Sequence, residues 1–147
     1  MRPIDLLVGH CSATPAGRDV SAAEIDRWHR ARRWNGIGYH YVIRLDGTIE
    51  HGRPENIRGA HVRGRNRGSL GVCLIGGVSA DDVKLAENTF NDAQFASLET
   101  LIRKAQHQYG DIDIVGHRDL DPGKACPSFD VERWLLARGL AEYGEAA

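Results

Sequence analysis

The chain has 147 residues, 41% hydrophobic and 27% charged, with a formal net charge of -1 at pH 7. That is apolar material for one self-sufficient domain with no need of disulfide staples, and the small net charge excludes a chain that as a whole seeks nucleic acid or an anionic membrane. Three cysteines, an odd number, fit a reducing compartment, no stretch approaches the length of a bilayer span, and no secretory signal opens the sequence, so a cytoplasmic location is expected.

In chain order, Ile4 to Val8 is a buried-strand candidate, and Ser12 to Gly17 reads as a loop. A helix follows, fading near Arg33. Ser21 and Glu24 form its expected capping box, and Val20 can staple to Ile25. Gly38 to Leu45, then Asp46-Gly47, then Thr48 to Glu50 is a hairpin signal, with Asp-Gly supplying the positive φ angles of a tight turn. Leu70 to Ile75 is apolar enough to be covered on both faces, and Gly76-Gly77 stops it. The longest helix is predicted from Asp92 to Tyr109, capped by Asn91 and Gln94 and ended by Gly110. Ile112 to Val115 is a further strand. Asp130 caps a last helix carrying Val131, Trp134 and Leu135. Strands and helices interleave around one hairpin. The prediction is therefore an α/β single domain over 1–147, a central mixed β-sheet flanked by helices, ordered to about residue 141 and frayed beyond.

Two of the seven histidines stand apart. His10 and His117 each follow an apolar strand and a glycine, and open sheets of this kind gather their sites beyond strand ends. Cys126 lies in the Pro/Gly-rich stretch Asp121 to Pro127. Two imidazoles and one thiolate suit a single zinc ion with its fourth position open to water, the pattern of a catalytic site. Cys126 paired with a histidine as a thiol nucleophile is the competing reading, though Pro127 denies it an immediate helix start. Cys73 reads as core. Cys11, next to His10, should point to the other face of its strand. His29, His51 and His107 read as structural or uninformative.

Ordered strings through most of the chain then carry a family resemblance. They are His10-Cys-Ser-Ala-Thr14, Gly38-Tyr-His-Tyr-Val-Ile43, Asp46-Gly-Thr-Ile-Glu50, Gly59-Ala-His61, Ser69 to Gly77, and Lys124-Ala-Cys-Pro-Ser-Phe-Asp130. The sequence resembles the N-acetylmuramoyl-L-alanine amidases of the family that includes phage T7 lysozyme and the peptidoglycan recognition proteins. Gly116-His117-Arg118-Asp119 resembles the wider group more than the T7 type. The resemblance implies hydrolysis of the lactyl–L-alanine amide of peptidoglycan, with one zinc ion on His10, His117 and Cys126, and catalytic roles for Tyr39 and Lys124. Lys124 is expected to stabilise the oxyanion. His61 and Asn66 match family positions near the substrate groove, and Arg118 and Thr14 are added as candidate contacts. The arginines Arg53, Arg58, Arg63, Arg65 and Arg67 lack interleaved aromatics; they read as a groove rim facing stem carboxylates and not as a nucleic-acid platform. A monomeric phage endolysin is expected. The alternatives are a cytoplasmic amidase that recycles muramyl peptides, or a non-catalytic binding or regulatory module. A phage-type RNA polymerase enters as a partner by resemblance alone.

Overall fold

The computed structural model describes residues 2–141; the tail expected to fray, 142–147, lies outside them. In chain order the elements are β1 (Leu6–Cys11), β2 (Thr14–Pro15), α1 (Ala22–Ala31), β3 (Tyr41–Ile43), β4 (Ile49–His51), β5 (Ser69–Leu74), β6 (Gly77–Val78), α2 (Asp92–Tyr109), β7 (Asp113–Gly116), α3 (His117–Leu120) and α4 (Val131–Ala137). The main sheet has the order β4-β3-β5-β1-β7. Its strands are parallel except for the β3–β4 hairpin. This is the mixed sheet with flanking helices that the sequence predicts.

Strand alternation sorts the side chains into two layers. Leu7, Tyr41, Ile43, Leu70, Val72 and Leu74 pack with Leu98, Leu101 and Ile102 of α2 and Val131 and Leu135 of α4. Val42, Cys73 and Ile75 face the other way, onto Ile25 of α1 and Val20 just before it. His10 shares its parity with Leu6 and Val8, so it lies in the second layer, and Cys11 projects toward the first.

Several local expectations are corrected. β1 extends to Cys11, so His10 lies inside a strand and not just beyond one. Only half of the first capping box forms: Ser21 Oγ accepts from Glu24 N at 3.2 Å, while Ala22 N donates to Glu50 at 2.8 Å and Glu24 faces Arg18. The second box is complete, with Asn91 and Gln94 bonded both ways. The Asp-Gly turn is wider than a two-residue loop. Gly47 N donates to Arg44 O and Arg44 N to Thr48 O, both at 2.9 Å. Only Gly47 has positive φ (+88°), while Asp46 accepts from Thr48 N. Gly76-Gly77 does stop β5, which ends at Leu74, but Gly77–Val78 then pairs with Thr14–Pro15 in a separate two-stranded sheet, inside the stretch read as a loop. His29, read as structural, is buried within the fold, and its Nδ1 accepts from Gly38 N at 2.9 Å.

The segment between β4 and β5 has little regular structure and is tied down by side chains. Arg2 donates to the carbonyls of Glu55, Arg67 and Ser69 at 2.8–2.9 Å. The Tyr41 and Tyr109 hydroxyls both donate to the Glu55 carboxylate. His40 is 1% exposed. Its Nδ1 accepts from Gly71 N at 3.0 Å, so its Nε2–H donates to Ile57 O at 2.9 Å. A second proton has no acceptor there.

Burial, aided by the neighbouring Arg2 charge against the Ile57 carbonyl's opposing pull, lowers the His40 pKa to about 4, from an ordinary 6.5. Between those values the unfolded chain binds more protons than the folded one. Stability should therefore be unaffected above pH 6.5 and fall as pH drops toward 4. For this residue the loss at pH 4.5 is about 2–3 kcal/mol. Denaturant midpoints of metal-free protein at pH 7.5 and 4.5 test it. His40→Gln should lose less between the two pH values than the wild type; equal losses would contradict the assignment.

Candidate active site and metal centre

Parallel pairing of β1 with β7 sets Gly9 beside Gly116, so His10 and His117 emerge together at one end of the sheet. His117 opens α3, a helical turn that the sequence reading missed, steadied by Gly116 N donating to Asp119 at 2.8 Å. The two imidazole centroids are 4.7 Å apart. Cys126 arrives on the loop between α3 and α4, which is pinned on both sides. Arg118 N donates to Cys126 O at 2.9 Å, and Ser128 Oγ donates to Gly77 O at 2.8 Å. Gly116 lets the loop close: a Cβ there would stand 2.9 Å from Pro127 and 3.0 Å from Val131.

One ligand atom from each of His10, His117 and Cys126 lies within 4.8 Å of the other two. His10 Nδ1 is 3.8 Å from Cys126 Sγ. A tetrahedral zinc with ordinary bond lengths sets nitrogen and sulfur about 3.6 Å apart, so this pair already stands near zinc-bound spacing, and the donor types fit the ion. The electrostatics agree. Burial pushes the His10 pKa far down, helped by His61 and His117. Burial also lowers that of His117, with the Lys124 charge adding to it and Asp121 opposing. Both imidazoles are therefore neutral, the form that ligates. The Cys126 thiol is pushed up, first by the hydrogen bond it shares with Cys11 and then by burial. A divalent cation reverses that preference by deprotonating a coordinated thiol outright. Cys11 N donates to Cys126 Sγ at 3.2 Å and orients the sulfur.

Tyr39 packs its ring 5.1 Å from His10. Burial, and then the nearby sulfurs of Cys73 and Cys126, raise its pKa well above the ordinary value. The phenol stays protonated and can donate. Lys124 is exposed at the mouth of the site, close enough to influence His117. A depression of about 90 Å³ is lined by Ser12, Ile25, Trp28, His29, Arg32 and Tyr39, the last of which packs on His10.

The candidate substrate contacts divide. Arg118 is half-buried, its backbone holding the Cys126 loop. Thr14 is 6% exposed, with its hydroxyl 2.6 Å from Ser12 Oγ, so it is turned into the fold. Asn66 Oδ1 accepts from both His61 N and Val62 N at 2.9 Å and shapes the loop instead. His61 has both ring nitrogens engaged, with His10 at 2.8 Å and Ser69 at 3.2 Å. Of the arginine rim, Arg53 donates to the carbonyls of Ile37 and Arg58 and is a staple. Arg63, Arg65 and Arg67 are exposed and make no ion pair among the described residues. Trp28 and Arg32, which line that depression, and Ser69, which meets His61, have no site role in the sequence reading.

A family model described as N-acetylmuramoyl-L-alanine amidase matches residues 1–129. The endolysin of Klebsiella phage KP32 is 46% identical over 125 residues, covering 85% of this chain and 81% of its own. The endolysin of Escherichia phage T7 is 42% identical over 130 residues, covering 88% and 84%. Among solved structures, the N-acetylmuramoyl-L-alanine amidase LysC from Clostridium intestinale superposes with a TM-score of 0.79 at 31% identity, over 96% of this chain and 88% of that one.

Proposed function

The chain belongs to the N-acetylmuramoyl-L-alanine amidase family and is an enzyme of that class, and from there we propose that it is a zinc-dependent endolysin. Its substrate is the amide between the lactyl group of N-acetylmuramic acid and the first L-alanine of the peptide stem. The observation that carries the zinc reading is the convergence of two neutral imidazoles and one thiol within 4.8 Å. The endolysin role rests on relatives that bear that name at 42–46% identity.

A zinc ion held by His10, His117 and Cys126 supplies Lewis acidity toward the scissile carbonyl and lowers the pKa of water toward neutrality. The rest falls to side chains of this protein. Trp28 and Arg32 line the depression beside Tyr39 and offer an apolar plate and a cation to a muramyl peptide. Tyr39, kept protonated, donates a hydrogen bond to the reacting amide. Lys124 faces the oxygen on which negative charge develops as the carbonyl becomes tetrahedral. Arg63, Arg65 and Arg67 are free to meet stem carboxylates.

Mass spectrometry of digested wall fragments, with and without a chelator, tests the reading. New free L-alanine amino termini without new reducing sugar ends, lost on chelation, are expected. Reducing ends would mark a glycosidase and overturn the assignment, and chelator-resistant amide cleavage would overturn the zinc dependence.

A further inference from the structure

His61 stands at the middle of a hydrogen-bond chain whose direction is set from one end. The Arg65 carbonyl can only accept, so the Ser69 hydroxyl, 2.8 Å away, donates to it. Ser69 Oγ then has only lone pairs to offer His61 Nε2 at 3.2 Å, so that nitrogen carries the proton. A neutral imidazole has a single N–H. His61 Nδ1 is therefore bare and accepts, and the His10 Nε2 facing it at 2.8 Å must donate. What remains on His10 is an unprotonated Nδ1, the nitrogen that faces Cys126 Sγ.

The packing holds His61 in that pose. A Cβ on Gly71 would lie 2.6 Å from its ring, and so would one on Gly59. Both glycines leave the slot that the imidazole fills. Its backbone N–H is fixed by Asn66 Oδ1.

We propose that His61 is a positioning residue: with Ser69 and the Arg65 carbonyl it locks His10 in the Nε2–H tautomer, presenting Nδ1 as the metal-binding atom. The role rests on the zinc reading above, but the tautomer exists without any ion. A ligating histidine whose other nitrogen donates to a fixed partner binds metal more tightly, and losing such a partner typically costs about 10–100-fold in affinity.

Two measurements on the full chain test it. In zinc-free protein at pH 8, nitrogen-15 NMR should find the His10 proton on Nε2. His61→Leu should give a tautomer mixture, and Ser69→Ala a smaller shift the same way. A wild-type proton on Nδ1, or a His10 spectrum indifferent to His61→Leu, overturns the proposal. Zinc affinity by competition with a chromophoric chelator should fall about 10–100-fold in His61→Leu. His61→Asn, whose amide oxygen can stand in for Nδ1, should recover part of that loss. Unchanged affinity in His61→Leu, or no recovery in His61→Asn, also overturns it. A wild-type chain that binds no zinc would instead refute the metal reading, and the NMR measurement would still decide the tautomer.

Discussion

Replacing Cys126 with alanine is expected to cost the protein its zinc and more than about a thousandfold in amidase turnover, because only the ion brings water's pKa from 15.7 to near 7. Among the described residues, no further histidine, cysteine or carboxylate joins the three ligand atoms that lie within 4.8 Å of one another. Cys11 shares a hydrogen bond with Cys126, but its thiol stands outside that group, 3.8 Å from Ser128 Oγ. Cys73 is fully buried at 0% exposure. Elemental analysis of purified Cys126→Ala, alongside a muramyl-peptide cleavage assay, provides the check, with Cys73→Ala as the control that should keep its zinc. The same experiment separates the metal site from a thiol nucleophile. Without a cation the Cys126 thiol is pushed up by its hydrogen bond with Cys11 and by burial, the reverse of what an activated thiolate requires. A variant that lost zinc yet kept its turnover would refute the metal mechanism.

Lys124→Ala is expected to lower kcat by about 10²–10³ while zinc content stays at the wild-type level. That is the usual cost of one oxyanion donor. Lys124, two residues ahead of Cys126, is held in a turn by its backbone N–H donating to Asp121 O at 2.9 Å. Its side chain is exposed, so its removal should not open the core. Steady-state kinetics with metal analysis on the same preparation give the answer. Equal loss of zinc and turnover would make Lys124 a structural support of the metal loop. A rise in KM at unchanged kcat would make it a binding residue.

Much of the fold could be read from the residues because its signals are local. Asn91, Gln94 and Gly110 bound the long helix at Asp92–Tyr109, since caps satisfy backbone groups within a few residues of themselves. The apolar run from Leu70 announces a covered strand. Where local rules compete, the reading slipped. Asp-Gly allows more than one turn, and the hairpin took the wider one, in which only the glycine turns left-handed. The candidate site divides in the same way. His10, His117 and Cys126 stand out because strand ends and a Pro/Gly-rich loop are visible in sequence. Asn66 is a candidate substrate contact by family resemblance and Thr14 is added beside it, yet their oxygens are engaged with the backbone of His61 and Val62 and with Ser12.

By itself, the sequence determined the layered α/β architecture, the limits of the long helix and the identity of the three converging side chains. All of these follow from periodicity, capping and residue chemistry within short windows, or from ordered family motifs. Only the tertiary structure decided which nitrogen of His10 is bare and that His61 looks inward to it. It also decided that Gly71, in the neighbouring strand, leaves room for that ring. Those facts depend on atoms brought to within about 3 Å from distant parts of the chain, where hydrogen-bond direction is settled by the one partner that cannot donate.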